Sequence, residues 1–267
     1  MNNKIVFGSY IPTNSVLHRL DPRMKLMMCI GFVVLVFFVN NLITGAWLAL
    51  SLLLAIKLSK VSVKLYWQGL KPLFWIILIT VVFQIFFSSG GTVYWRWGIM
   101  SVTHDGLINS LIILYRFVVI IVASTVLTVT TQTIQIADGL SWMMKPLALI
   151  KVPVNQITLM LSIALRFVPT IMDETGKIMK AQRARGMNFN QGNIITRVHH
   201  LVPILIPLFV NSFKRAEELA TAMEARGYDP NAPRTHYRQL IWHQVDNWAA
   251  VWSSLVVVIL FILRIFF

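Results

Sequence analysis

The chain has 267 residues, 57% of them hydrophobic and only 13% charged, with a mean hydropathy of +0.69. A soluble domain carries about a quarter charged residues, so these figures argue against one and point to the bilayer as solvent. The 24 basic and 10 acidic residues leave a net charge of +14. That balance suits nucleic acid or an anionic leaflet, and the hydrophobicity selects the leaflet. One cysteine, Cys29, excludes an intrachain disulfide. The first apolar run begins only after Lys25 and no small-residue cleavage site follows it, so no cleavable signal peptide is expected.

Leu26 to Ile56 carries no charge, a run of 31 residues that exceeds the roughly 20 a spanning helix needs. Asn40, Asn41 and Gly45 offer a turn near its middle. Arg19, Arg23 and Lys25 precede the run, and Lys57, Lys60 and Lys64 follow it. A hairpin of two short helices returns both basic clusters to one side, as the positive-inside rule prefers. A third span runs from about Pro72 to Phe87 and breaks at Ser88-Ser89-Gly90-Gly91. The loop that follows holds Arg96 and Asp105, is net neutral and belongs outside. Its Tyr94, Trp95 and Trp97 suit an interfacial belt. A fourth span covers about Leu107 to Val129.

From Thr130 to Trp248 the pattern changes: 13 Lys or Arg and 8 Asp or Glu concentrate there. A last apolar run, about Trp248 to Phe267, closes the sequence. Four spans return the chain to its starting side, so the N-terminus and the charged segment are expected in the cytoplasm and the C-terminus outside. The expected fold is an all-α integral membrane protein with about five transmembrane helices and a cytoplasmic module of long amphipathic helices. Its parts are residues 1–129, 130–247 and 248–267. Within the module, Ile157–Met172 and Leu201–Phe213 are apolar. The second is short for a span, and crossing by the first would translocate Lys177, Lys180, Arg183 and Arg185. Both are read as helices on or just under the membrane.

The module contains a duplication. FVPTIMDETGKIMKAQRARGM recurs 41 residues later as LFVNSFKRAEELATAMEARGY. Each copy is a helical pattern with proline near its start (Pro169; Pro203 and Pro207), and each ends in Ala-Arg-Gly, at Ala184, Arg185, Gly186 and at Ala225, Arg226, Gly227. In the second copy Phe209, Phe213, Ala216, Ala220 and Met223 follow helical spacing and mark one buried face, with Lys214, Glu217, Glu218 and Glu224 on the other. Glycine just past a helix end takes the left-handed cap without a Cβ clash, and arginine in the last turn favours the negative end of the dipole. These features alone describe ordinary caps. From Pro169 to Gly186 the helix would run roughly 26 Å at ~1.5 Å per residue. Two such rods can present equivalent arginines to two equivalent partners, since a guanidinium fork donates several hydrogen bonds into a polar pocket. Ala216, Ala220, Ala222 and Ala225 would permit a close helix crossing.

Paired Ala-Arg-Gly helices behind four spans, with HRLDPRMKL at His18–Leu26 and ALRFVP at Ala164–Pro169, resemble the transmembrane T component of energy-coupling factor transporters. The resemblance covers nearly the whole chain. It implies a coupling subunit of an ABC-type importer whose Arg185 and Arg226 dock in two cytoplasmic ATPase subunits, with Ala184, Gly186, Ala225 and Gly227 completing the tips. It also implies a membrane-embedded S component that binds a vitamin or other micronutrient and is reoriented when ATP closes the ATPase pair. Met187 and Tyr228 differ after the two glycines. The implied site is the cell membrane, with no nucleic acid partner.

No GxxxxGK[ST] loop occurs, so no cofactor is expected in this chain and ATP would be bound by partner subunits. His199, His200, His236 and His243 make no zinc-ligand pattern, and no nucleophile with a credible base stands out, so neither a metal site nor a catalytic residue is expected. Arg116 lies well inside the fourth span, where a charge is costly and marks a polar site. It could meet a polar group of the S component or line a cavity; the structural alternative pairs it with a backbone carbonyl or Gln84. Asp21, before Pro22 and Arg23, reads as a local helix cap. The competing assignments are a permease subunit of a conventional ABC importer, for which one such loop per chain is usual, a lipid-modifying membrane enzyme, which would need a reactive cluster, and a membrane scaffold without ATPase partners.

Overall fold

The computed structural model describes residues 10–88, 90–97, 100–189, 191, 193–229 and 240–266. His236, Arg234 and Arg238 lie outside them. The described residues form ten α-helices and one antiparallel β-hairpin. They divide into two compact units, one within Met1–Met143 and Leu240–Phe267, the other within Met144–Gln239.

In the first unit, α1 (Val16–Arg19) leads into α2 (Pro22–Phe37), which starts with proline at its first position and Asp21 as N-cap. The Asp21 carboxylate accepts the Arg23 N–H at 2.8 Å, so the local cap expected of it is present. The long apolar run breaks at Asn40–Asn41 and resumes as α3 (Leu42–Ser59), whose Thr44 hydroxyl donates to the Asn41 carbonyl at 2.8 Å. α4 (Val63–Leu70) passes through a 3₁₀ turn at Lys71–Leu73 into α5 (Phe74–Phe87). After the hairpin come α6 (His104–Thr130) and α7 (Thr133–Met144), and α10 (Gln244–Phe266) completes the unit.

The core lies where α2, α3, α6 and α10 meet: Val36, Leu48, Val129, Val256 and Leu260 are at most 1% exposed. Tyr115 of α6 donates its hydroxyl to the Gly45 carbonyl at 2.7 Å, and Trp47 donates to the Val256 carbonyl at 3.3 Å. Gly139 of α7 sits where a Cβ would approach Leu26 Cδ1 to 2.6 Å, so a larger residue there would push the Leu26 side chain aside. Arg23 covers the Trp142 ring at 5.4 Å on the same contact.

The loop expected between the third and fourth spans contains β1 (Val93–Trp97) paired with β2 (Met100–Thr103). Aromatic and β-branched side chains favour a pleated strand, and this preference outweighs the irregular loop read there. Tyr94 and Trp95 remain exposed, as an interfacial position requires.

In the second unit a 3₁₀ turn (Lys145–Ile150) precedes α8 (Val154–Ala184), which is followed by α9 (Ile194–Ala225). These helices are longer than expected. Ile157–Met172 and Leu201–Phe213 are not separate helices but the first parts of α8 and α9, and Pro169, Pro203 and Pro207 lie inside the helices, not near their starts. Each proline removes one backbone donor, a loss the surrounding turns sustain.

Five described helical stretches are long and apolar enough to cross a membrane: α3, α4–α5 (Val63–Phe87), α6, α8 and α10. The total matches the expectation, but the membership differs. With 16 residues α2 is shorter than any of these five stretches, of which the shortest, α3, has 18. Conversely, α8 qualifies by length and composition despite Arg166, because its apolar stretch is continuous with the rest of a 31-residue helix.

Candidate functional site: two matched helix tips

α8 and α9 end in the same pair of capping bonds. At the end of α8 the Gly186 N–H reaches the Arg183 carbonyl at 3.0 Å and the Met187 N–H reaches the Gln182 carbonyl at 3.0 Å. At the end of α9 the Gly227 N–H reaches the Glu224 carbonyl at 2.9 Å and the Tyr228 N–H reaches the Met223 carbonyl at 3.0 Å. Each pair is a Schellman motif, which satisfies carbonyls the helix leaves open. It requires a left-handed residue, and both glycines supply it, Gly186 at φ 87° and Gly227 at φ 71°. Met187 and Tyr228, the half-buried residues that follow the glycines, occupy the position where this motif commonly makes a hydrophobic contact.

Ala184, Arg185, Gly186, Ala225, Arg226 and Gly227 are all exposed. A Cβ added at either glycine would meet nothing within 4 Å, so the tips stand clear of the rest of the described chain. Two positive, multidentate groups are thus offered to solvent on rigid supports of equal design.

Sequence reasoning missed how the rods are joined. Glu174 of α8 and Arg215 of α9 form an ion pair, both side chains partly buried. The signal that could have found it is the repeat itself: these two residues occupy equivalent positions, 41 apart, like Arg185 and Arg226. Around the pair a groove of about 250 Å³ is lined by Phe167 and Ile171 of α8 and by Ala216, Ala220 and Met223 of α9. The stripe read along α9 as a buried face is not buried: Phe209, Phe213, Ala216 and Ala220 are exposed and Met223 is half-buried. Its alanines and Met223 face α8, whereas Phe209 and Phe213 are 66% and 62% exposed, their rings 4.5 Å apart. Leu205, Ile206 and Val210 are exposed beside them, making an apolar face larger than scattered surface residues would give.

Arg116 belongs to the first unit. Its Nη2 donates to the carbonyls of Val39 at 3.2 Å and Phe37 at 3.4 Å, beyond which α2 has ended. It lines one cavity with Gln84, so both structural partners considered for it are near.

A second unread feature ties that unit together. Asp246, fully buried, accepts the His243 N–H at 2.7 Å through Oδ2 and the Asp21 N–H at 2.7 Å through Oδ1. His243 and Asp21 are the residues before α10 and α2, so one carboxylate serves the positive ends of two helices. Lys25, grouped in the sequence with Arg19 and Arg23 as the basic flank of the first apolar run, is buried and donates to the Thr130 carbonyl at 2.9 Å, at the end of α6. Among the described residues no three His, Cys, Asp or Glu side chains gather as a metal site would require.

The fold is that of a polytopic all-α integral membrane protein. Residues 13–237 match the CbiQ family, described as cobalt transport protein. The chain is 54% identical over 265 residues to the energy-coupling factor transporter transmembrane protein EcfT of Limosilactobacillus fermentum, covering 99% of each. It is 47% identical over 264 residues to EcfT 1 of Listeria monocytogenes, again 99% of each. Against EcfT of Streptococcus equi the identity is 47% over 262 residues, 98% of this chain and 97% of the relative. The chain therefore belongs to the CbiQ family, as a transmembrane component of the energy-coupling factor transporter type.

Proposed function

We propose that this protein couples ATP hydrolysis in two cytoplasmic ABC ATPase subunits to reorientation of a membrane-embedded S component that carries a vitamin or other micronutrient across the cell membrane. Arg185 and Arg226 dock the ATPases, one each, and Ala184, Gly186, Ala225 and Gly227 keep the tips low enough for a partner backbone to approach. The N-terminus and the tips of α8 and α9 face the cytoplasm. The chain itself catalyses nothing and binds no ATP; it is a lever.

The observation that carries this reading is the duplication in three dimensions: two long helices with the same exposed arginine, the same cap, and a join at equivalent residues. A conventional importer permease, with one such element per chain, leaves the second tip without a purpose. The exposed apolar face of α9 supports an occupant of membrane character, either lipid or the S component.

Site-specific crosslinking tests the docking. Arg185→Cys and Arg226→Cys, each labelled with a thiol-directed photocrosslinker in the assembled complex, should each attach to an ATPase subunit. Cys29, the single native thiol, is replaced by alanine beforehand. Attachment of neither position to an ATPase, in a complex that still hydrolyses ATP, would overturn the reading.

A further inference from the structure

The cavity around Arg116 has no role in the coupling account, and its chemistry is specific. Asn109, Ile112, Ile113 and Arg116 follow the i, i+3, i+4, i+7 spacing of one face of α6, and all four line the cavity. Gln84 of α5 and Asn40 from the connection between α2 and α3 close it, leaving about 430 Å³. Its polar side chains are three carboxamides and one guanidinium, and no acidic residue lines it.

Arg116 is held but not neutralised. Two backbone carbonyls accept from its Nη2, and the Phe37 ring lies 5.7 Å beneath the guanidinium. Its Nε is buried without a partner. Carbonyl dipoles and a ring face fix the group in place, yet a full positive charge within a spanning helix remains without a counter-charge, which is costly in a low dielectric. What completes such a site is an anion, and guanidinium with amide donors is the donor set that a phosphate accepts from.

The position of the cavity favours a lipid phosphate. In a helix the side chain leans toward the N-terminus, so Arg116 reaches along α6 toward His104. Gln84 is one turn from the end of α5, and Asn40 lies past the end of α2. The cavity thus lies in the hairpin half of α6, Asn109 five residues and Arg116 twelve residues, about 18 Å, from its first residue, a depth from which an arginine side chain snorkels toward the interface. Phe83 and Leu111, next in sequence to Gln84 and Ile112, are 59% and 64% exposed and offer apolar surface for acyl chains. Free phosphate would use the charge but leave that surface bare.

We propose that the Arg116 cavity binds the phosphate of an anionic phospholipid in the leaflet on the hairpin side. Lipid retained by the intact complex is the direct test. Complexes are extracted from phosphatidylcholine vesicles doped with phosphatidylglycerol, and bound lipid is counted by native mass spectrometry. Wild type should retain phosphatidylglycerol in excess over phosphatidylcholine. Arg116→Gln should cut that enrichment about tenfold, corresponding to about 1.4 kcal/mol, and Arg116→Lys should keep part of it. Asn109→Leu, which fills the cavity and leaves the charge, should lower it as well and serves if Arg116→Gln fails to assemble. Unchanged enrichment in Arg116→Gln and Asn109→Leu would overturn the proposal. So would displacement of the lipid by inorganic phosphate, or rescue of Arg116→Glu by a basic substitution in a partner subunit, which would assign the charge to a protein carboxylate.

Discussion

Glu174 and Arg215 stand at the same position of two copies of one repeat, and they pair with each other. Two rods joined at equivalent residues are matched on either side of the join. From Glu174 to Arg185, as from Arg215 to Arg226, the chain advances 11 residues, about 16 Å of helix. The ion pair therefore lies at an equal distance along the chain from both arginines.

The pair should behave as a coupled unit. Glu174→Arg and Arg215→Glu should each lower the thermal stability of the purified protein, and the double exchange should recover most of the loss. Because both side chains are partly exposed, the coupling should be about 0.5–1 kcal/mol in a double-mutant cycle. Strictly additive losses would show that the two residues do not support one another.

At the tips the backbone imposes the constraint. Gly186→Ala and Gly227→Ala place a Cβ in left-handed conformation, costing about 1–2 kcal/mol locally, although open space surrounds both. Hydrogen exchange at the Met187 and Tyr228 amides should accelerate by about fivefold or more, with the rest of each helix unaffected. Unchanged exchange would mean that the Schellman bonds do not hold the tip.

Asp246 should be the most sensitive acidic residue of the first unit. Asparagine can accept one of the two N–H groups now served, and its amide would face the other donor, so Asp246→Asn should cost about 1.5–3 kcal/mol. The melting temperature in detergent should fall accordingly. Wild-type stability in this variant would remove the shared-cap account.

Acidification should loosen the segment around α1. Burial, together with the positive charge of Lys25, pushes the His18 imidazole below its usual value, against the opposing effect of the Ile11 carbonyl 3.0 Å from Nε2. The unfolded chain then takes up the proton first. Stability conferred by His18 is fully present above about pH 6.5, declines as pH falls, and levels off below the folded value. A pH series of thermal unfolding should show this decline, and His18→Gln should flatten it.

Much of this architecture can be read in the sequence, because the bilayer leaves few solutions for long uncharged runs. The break at Asn40–Asn41 and the two caps are local events with local signals. Other features depend on residues far apart. Lys25 reads as part of a basic flank with Arg23, and only the folded chain brings the Thr130 carbonyl to it. Asp246 lies 225 residues from the Asp21 N–H it receives. The prolines misled in another way: Pro169, Pro203 and Pro207 suggest helix starts, but α8 and α9 run through them unbroken. The aromatic residues of Val93–Trp97 suit a strand and a membrane interface alike, so the segment's composition does not reveal the hairpin.

Retention of the ATPases tests the central claim most directly. Membranes carrying wild type, Arg185→Glu, Arg226→Glu or the double variant would be solubilised, the protein captured, and co-purified ATPase and ATP-driven uptake measured in parallel. The paired-handle account predicts partial loss of ATPase in each single variant and near-complete loss of ATPase and uptake in the double variant, with the protein still folded in the membrane. Full retention and full uptake in the double variant would contradict it and leave Arg185 and Arg226 as helix caps.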